Sequence, residues 1–160
     1  MTASLQNKEP VRGPQTGGEL RSAFRFLDEQ EIDRFCSALE VRRVPPNGFL
    51  MEEGQSGDFM GFLKKGRLAV KKETHFPGKH ILLAVLDPGS MVGEISALEG
   101  GRRNATVVAL EESEVLILTR DRLDALLAAD PILGVKVLKR IIQVLGLRLQ
   151  KADDRLANLL

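Results

Sequence analysis

The sequence predicts an α+β protein: a β-jelly-roll barrel with a short N-terminal helix before it and C-terminal helices after it, the last one long. Three observations predict it. Between about Val44 and Thr119, short apolar runs are broken repeatedly by turn residues. From Arg120 onward the pattern is helical and breaks only at Asp130-Pro131. The last stretch then carries an apolar stripe at alternating spacings of four and three.

Taken in order, residues 1–22 are polar, contain Pro and Gly and show no periodicity, as expected of a flexible N-terminal tail. The domain then occupies 23–160. A short helix is expected in "LDEQEIDRFCSALE", with Asp28 as N-cap and Glu31 three residues on, as in a capping box. Leu27, Ile32, Phe35 and Leu39 fall roughly on one face. The β-roll, about 44–119, opens with "FLMEEGQSGDFMGFLKKGRLAVKK", two strands around a Lys65-Gly66 turn with a Gly54, Gly57, Asp58 loop ahead of it. "HILLAVLDPGSMVGE" gives a strand that stops at Asp87-Pro88-Gly89, and "ATVVALEESEVLILT" gives two strands around an acidic turn. No internal repeat runs through the chain.

The helical part covers about 120–160. "RDRLDALLAAD" ends before Pro131, and a second helix runs from about Ile132 to Leu160, roughly 43 Å at ~1.5 Å per residue. Leu138, Ile142, Leu145, Leu149, Ala152, Leu156 and Leu159 form an a/d seam over three heptads. Val137, Ile141 and Val144 form a second apolar face that suits the barrel. The seam is therefore read as a homodimer contact; the alternative is that it too packs on its own barrel.

Composition narrows the functions. Hydrophobic residues make up 43%, enough for one domain core. Net charge is +1 and Trp and Tyr are absent, so neither a basic footprint nor a stacking platform for nucleic acid is present. The single cysteine, Cys36, excludes an internal disulfide and fits a reducing cytoplasm; it reads as a small buried apolar residue. No apolar run approaches the ~20 residues that span a bilayer, and the N-terminus does not resemble a signal peptide, which leads to the expectation of a cytoplasmic protein with no membrane partner. A cupin-type metal enzyme needs several converging histidines; only His75 and His80 exist, in or beside a turn, so no metal and no catalytic residue is expected. The run Lys64, Lys65, Arg67, Lys71, Lys72 reads as a solvated strand face.

The segment with the richest chemistry is "GEISALEGGRRNAT", Gly93 to Thr106. "SALEGG" suits one helical turn, whose N-terminus offers free N–H groups and a partial positive charge. Small side chains at Ser96 and Ala97 would let an anion approach, and Gly100-Gly101 would turn the chain so that Arg103 returns over the same spot. Arginine's planar fork matches phosphate. Glu94 would repel phosphate but suits a ribose hydroxyl. Together these describe a nucleotide with a compact phosphate.

At Gly93, Glu94, Ser96, Ala97, Arg103, Ala105, Thr106 and Val107 the sequence resembles the phosphate-binding cassette of the cyclic nucleotide-binding domain family, the sensor domains of catabolite activators and protein kinase A regulatory subunits. "GDFMGFLKKGRLAVKK" and "LDPGSMVGE" look like the family's strand–Gly–strand segment and its approach to the cassette; the resemblance covers about 23–160. It implies that Arg103 pairs with the cyclic phosphate and that Glu94, with the Gly93 backbone, holds the ribose 2′-hydroxyl. It implies further phosphate hydrogen bonds from backbone N–H groups at Ser96, Ala97 and Ala105. Asn104 departs from the small or hydroxyl residue usual there, and its amide could reach phosphate or purine. Positions near Ala152 and Asp153 would meet the base, with Asp153 accepting from an exocyclic amine. Arg102 reads as a solvated neighbour. The sequence ends where the family's DNA-reading module would begin, so no DNA partner is expected. The implied function is a stand-alone, non-enzymatic sensor of cAMP ahead of cGMP, without a further cofactor, acting through its C-terminal helix on an unknown effector. The alternatives are a structural Glu94–Arg103 pair without ligand and, more broadly, a ligand-free dimerisation or scaffold module.

Overall fold

The computed structural model describes residues 9–10 and 18–159. The chain runs β1 (Glu9–Pro10), α1 (Gly18–Ala23), α2 (Glu29–Ser37), β2 (Glu40–Val44), β3 (Phe49–Met51), β4 (Phe59–Lys65) and β5 (Leu68–Glu73). It continues through β6 (His80–Leu86), β7 (Met91–Val92), α3 (Glu94–Glu99), β8 (Thr106–Ala109), β9 (Ser113–Thr119), α4 (Arg120–Ala129) and α5 (Pro131–Ala157). The strands form two antiparallel sheets, ordered β1-β2-β9-β4-β7 and β3-β8-β5-β6, which is the jelly-roll arrangement with flanking helices.

Alternation along the strands builds two cores. On β9, Val115 and Ile117 face the space between the sheets, with Leu50, Leu63, Leu68 and Val107. Leu116 and Leu118 face the other way, against the helices, with Met60, Phe62, Leu123, Leu133, Val137 and Ile141. β9 is buried on both faces because both layers need it. Phe24, Phe35 and Phe62 meet edge-to-face at centroid distances of 5.2–5.7 Å and close the helical side.

The capping box on α2 forms as expected. The Asp28 carboxylate accepts from the Glu31 N–H at 2.8 Å, and the Asp28 N–H donates to Glu31 at 2.9 Å. The other Glu31 oxygen accepts from Lys136 Nζ at 2.5 Å, which ties α2 to α5. That bond and the Asp28 N–H hold the Glu31 carboxyl below its ordinary range. Cys36 is buried in α2, and burial pushes its thiol up to about 11, which keeps it an inert packing group. Asp130 caps α5, accepting from the Leu133 N–H at 3.2 Å, with Pro131 in the first turn.

Two features differ from the sequence reading. β2 starts at Glu40, ahead of the expected roll, because its charged Arg42 and Arg43 mask a strand whose ends, Glu40 and Val44, are buried. Glu9–Pro10 pairs with β2 and α1 begins at Gly18, so regular structure reaches into the segment expected to be a tail, the rest of which lies outside the described residues. β6, an edge strand, exposes Ile81, Leu82, Leu83 and Val85. His75 and His80 are exposed at the β5–β6 hairpin. No described helix is long and apolar enough to cross a membrane.

Candidate functional site: a cassette on helix α3

Strand β7 delivers the chain to Gly93, whose φ of 74° lies in the left-handed region. A side chain there would be strained, and its Cβ would meet Arg103 Nη1 at 2.7 Å. Gly93 caps α3 without a side-chain bond. The chain then returns and is stitched to the loop before β4. The Arg103 N–H donates to the Gln55 carbonyl at 2.7 Å, Gly54 N–H to the Arg103 carbonyl at 2.8 Å, and Gly57 N–H to the Gly101 carbonyl at 3.1 Å. These bonds fix where Arg103 starts, and the length of α3 fixes what it meets.

Arg103 is 4% exposed. Its Nη1 donates to Ser96 Oγ at 2.7 Å and to the Gly93 carbonyl at 3.1 Å, while Nη2 is buried with no partner among the described residues. Burial pulls its pKa down, opposed by Asp58 and Glu94; an arginine so placed remains a cation. Glu94 is 3% exposed. One carboxylate oxygen accepts from Arg148 Nη1, and Arg148 Nη2 donates to the Met91 carbonyl. The other oxygen, Oε2, is buried without a partner among the described residues. An unpaired buried polar group costs roughly 1–3 kcal/mol. The site therefore keeps one open acceptor and one open donor, a hydroxyl's partner and an anion's partner.

Glu94, Ser96 and Arg148 border a cavity of about 850 Å³ between the cassette, the β5–β6 hairpin and α5, within the ~300–1,000 Å³ usual for small-molecule sites. Met51, Val70, Leu86 and Val107 give it an apolar floor.

The family follows from this geometry together with the comparisons. Residues 41–130 match the family model described as "Cyclic nucleotide-binding domain". The chain belongs to the cyclic nucleotide-binding domain family. It is 32% identical over 130 residues to the cyclic AMP receptor protein of Thermus thermophilus, covering 81% of this chain and 58% of that one. The structure of the Thermus thermophilus catabolite activator protein superposes with a TM-score of 0.75 at 31% identity, covering 86% of this chain and 62% of that one. A cyclic nucleotide-binding domain from Methylobacillus flagellatus superposes with a TM-score of 0.87 at 26% identity, covering 96% of this chain and 88% of that one. The chain thus spans about three fifths of the length of the receptor protein it matches.

Within this cyclic nucleotide-binding domain, Gly93, Glu94, Ser96, Asn104 and Ala105 line the cavity. Arg103 sits behind that wall, bonded to both Gly93 and Ser96. Ala97 is buried beneath it, and its N–H is already given to the Gly93 carbonyl at 3.3 Å, so the free N–H expected there is engaged within the helix. Asp153 is not brought to the cavity. It is exposed, and the lining residues of that stretch are Arg148, Lys151, Ala152 and Arg155. One residue along a helix is a rotation of about 100°, enough to turn Asp153 away while Ala152 lines the wall. Arg102 is exposed, with only a 3.4 Å bond to the Gly54 carbonyl.

Two participants are absent from the sequence-based set. Arg148 lies four residues after Val144 and seven after Ile141, on the barrel-facing side. An arginine continuing an apolar face is a signal for a carboxylate opposite it. Lys72 Nζ donates to the Asn104 carbonyl at 2.6 Å and pairs with Glu53 at 3.1 Å, bracing the cassette's exit. No local pattern marks that contact.

Proposed function

We propose that the domain is a non-enzymatic sensor of a 3′,5′-cyclic nucleotide, cAMP ahead of cGMP. The observation that carries the reading is the pair of buried atoms without a partner among the described residues, Glu94 Oε2 at the start of α3 and Arg103 Nη2 on the return behind it, beside a cavity. Glu94 accepts a ribose hydroxyl, and Arg103 donates to the phosphate. The N–H groups at the start of α3, which no side chain caps, add to the phosphate's field. Ala105 backs the same wall, and Asn104 at its edge can reach phosphate or base. The name of the Thermus relative supports adenine as the base.

The output is assigned to α5. Arg148 on that helix and the nucleotide's ribose share one carboxylate, so occupancy biases where the helix lies. The exposed seam side chains Ile142, Leu149, Leu156 and Leu159 offer a face for a second copy of the domain, and hence a homodimer in the cytoplasm that signals to an effector. A ligand-free dimerisation module explains the seam but not the two costly open polar atoms.

Thermal denaturation with each nucleotide tests the reading. A ligand that binds only the native state adds RT ln(1 + [L]/Kd), about 2.7 kcal/mol at a hundredfold excess over Kd. cAMP should raise Tm, and Arg103→Ala should weaken binding at least about thirtyfold, since losing one partner of a buried charge pair costs roughly 2–5 kcal/mol. Arg102→Ala should change it little. Equal losses at the two arginines would overturn the assignment of the phosphate ligand.

A further inference from the structure

Arg103 has a second, non-polar support. Both hydrogen bonds its side chain makes leave from the same nitrogen, Nη1. They leave the other terminal nitrogen, Nη2, without a hydrogen bond among the described residues. The guanidinium also rests on a ring: Arg103 Cζ lies 4.4 Å from the centroid of Phe59. A second arginine uses the same ring, with Arg42 Cζ 4.3 Å from that centroid. Both distances are well inside the ~6 Å of a cation–π contact.

The elements make this arrangement rigid. Phe59 opens β4 and pairs with Thr119, while Arg42 on β2 pairs with Val115, so both hang from β9 on the face that looks between the sheets. Arg42's side chain is only 16% exposed and is anchored toward Glu40, 3.9 Å away, which Arg122 also approaches at 3.6 Å. Burial lowers the Arg42 pKa, against Glu40 and Asp58. On the remaining side Gly57 leaves no slack, since a Cβ there would lie 2.9 Å from Arg103 Nε. Two largely buried cations sharing one ring is a costly arrangement for a barrel end that a few aliphatic side chains could fill.

We infer that Phe59 and Arg42 are positioning residues for the phosphate-binding arginine: the ring sets the plane of the Arg103 guanidinium so that the open Nη2 faces the anion, and Arg42 braces the ring from β2 while adding a second positive charge behind it. This inference rests on the cyclic nucleotide reading of the site. It explains how a side chain that stands behind the cavity wall keeps one donor aimed in a single direction. It also assigns work to Arg42, which lies 61 positions away from Arg103 in the sequence.

The test is titration calorimetry of the whole chain with cAMP and with its two phosphorothioate diastereomers, in which sulfur replaces one or the other exocyclic phosphate oxygen. Phe59→Leu should weaken cAMP binding about three- to thirtyfold, the range set by a desolvated cation–π contact. Arg42→Gln, which leaves ring and core in place, should weaken it about threefold. A set guanidinium plane favours one oxygen, so the wild type should discriminate between the diastereomers and Phe59→Leu should bring their ratio toward one. In an Arg103→Lys background the Phe59→Leu penalty should fall below twofold, because an ammonium has no plane to set. An unchanged diastereomer ratio, or an equal Phe59 penalty in both backgrounds, would mean that the ring only packs and would overturn the inference. If the wild type binds neither cAMP nor cGMP, the reading of the site fails first and the inference falls with it.

Discussion

From Pro131 to Leu145, helix α5 buries Leu133, Val137 and Ile141 completely and is tied to α2 through Lys136 and Glu31. From Gly146 to Ala157 every residue is exposed, and the helix meets the barrel mainly through arginines: Arg148 at Glu94 and Met91, and Arg155 at the Leu83 carbonyl, 3.5 Å away. The first half is held by the core and the second by the binding site. One continuous helix therefore carries an end packed into the core and an end held to the barrel by side chains at its surface. The heptad positions divide by helix face, not by half. Leu138 and Leu145 turn partly into the core, whereas Ile142 is 67% exposed and Leu149 64% exposed.

The contrast breaks most sharply in stability. Ile141→Ala removes a fully buried side chain and should destabilise the domain by about 2–5 kcal/mol in denaturant unfolding. Leu156→Ala, 62% exposed on the far half, should stay within about 0.5 kcal/mol below the concentration at which copies associate. Similar losses at both sites would show that the second half is also held by the monomer.

Assembly is the next largest effect. Aspartates at Ile142 and Leu149 together should convert a dimer into a monomer in sedimentation or light scattering, while the monomer's fold persists. Leu145 is the poorer target because it packs on the domain's own core. A wild type that is monomeric at tens of micromolar, with or without nucleotide, would remove the dimer and leave the cassette untouched.

What was legible in the sequence was what is local. Gly93, Glu94, Ser96 and Arg103 lie within eleven positions, and their meeting needs only one short helix and a tight return. The Asp28–Glu31 capping box and Pro131 at the head of α5 are local too. The contacts that escaped cross long loops. Arg148 reaches Glu94 over 54 positions, and Phe59 meets Arg103 only because two sheets fold over each other. β2 was hidden by its arginines, one of which, Arg42, is largely buried on the ring of Phe59. Of the two α5 positions expected near the ligand, Ala152 lines the cavity and Asp153 does not: spacing gives the period of α5 but not its rotation about its own axis, and that rotation decides between the two.

Arg148 should show an intermediate effect. Arg148→Gln leaves Glu94 buried with one partner fewer, and its half-exposed position softens the cost. Cyclic nucleotide affinity should drop about tenfold, and the preference for ribose over the 2′-deoxy analogue should shrink, because the carboxylate is no longer held in place. Loss of affinity with that preference intact would mean that Arg148 contacts the nucleotide itself and does not act through Glu94.

The smallest effect belongs to the base end and decides the rotation of α5. Asp153 is exposed and off the cavity, whereas Ala152 lines it between Lys151 and Arg155. Asp153→Asn should therefore leave both the cAMP affinity and the cAMP-to-cGMP ratio unchanged within about twofold, the scale of surface substitutions away from a site. Ala152→Ser places a hydroxyl, both donor and acceptor, where the base would lie. It should move the ratio by a few-fold, because a single neutral hydrogen bond is worth about 0.5–1.5 kcal/mol. The reverse outcome, a shifted ratio from Asp153→Asn and none from Ala152→Ser, would mean that the second half of α5 turns by about one residue when nucleotide binds. That turn would be the signal itself: the buried first half cannot rotate without disturbing Val137 and Ile141. Between the two halves lies Gly146, where an added Cβ would meet nothing within 4 Å and the helix has room to yield.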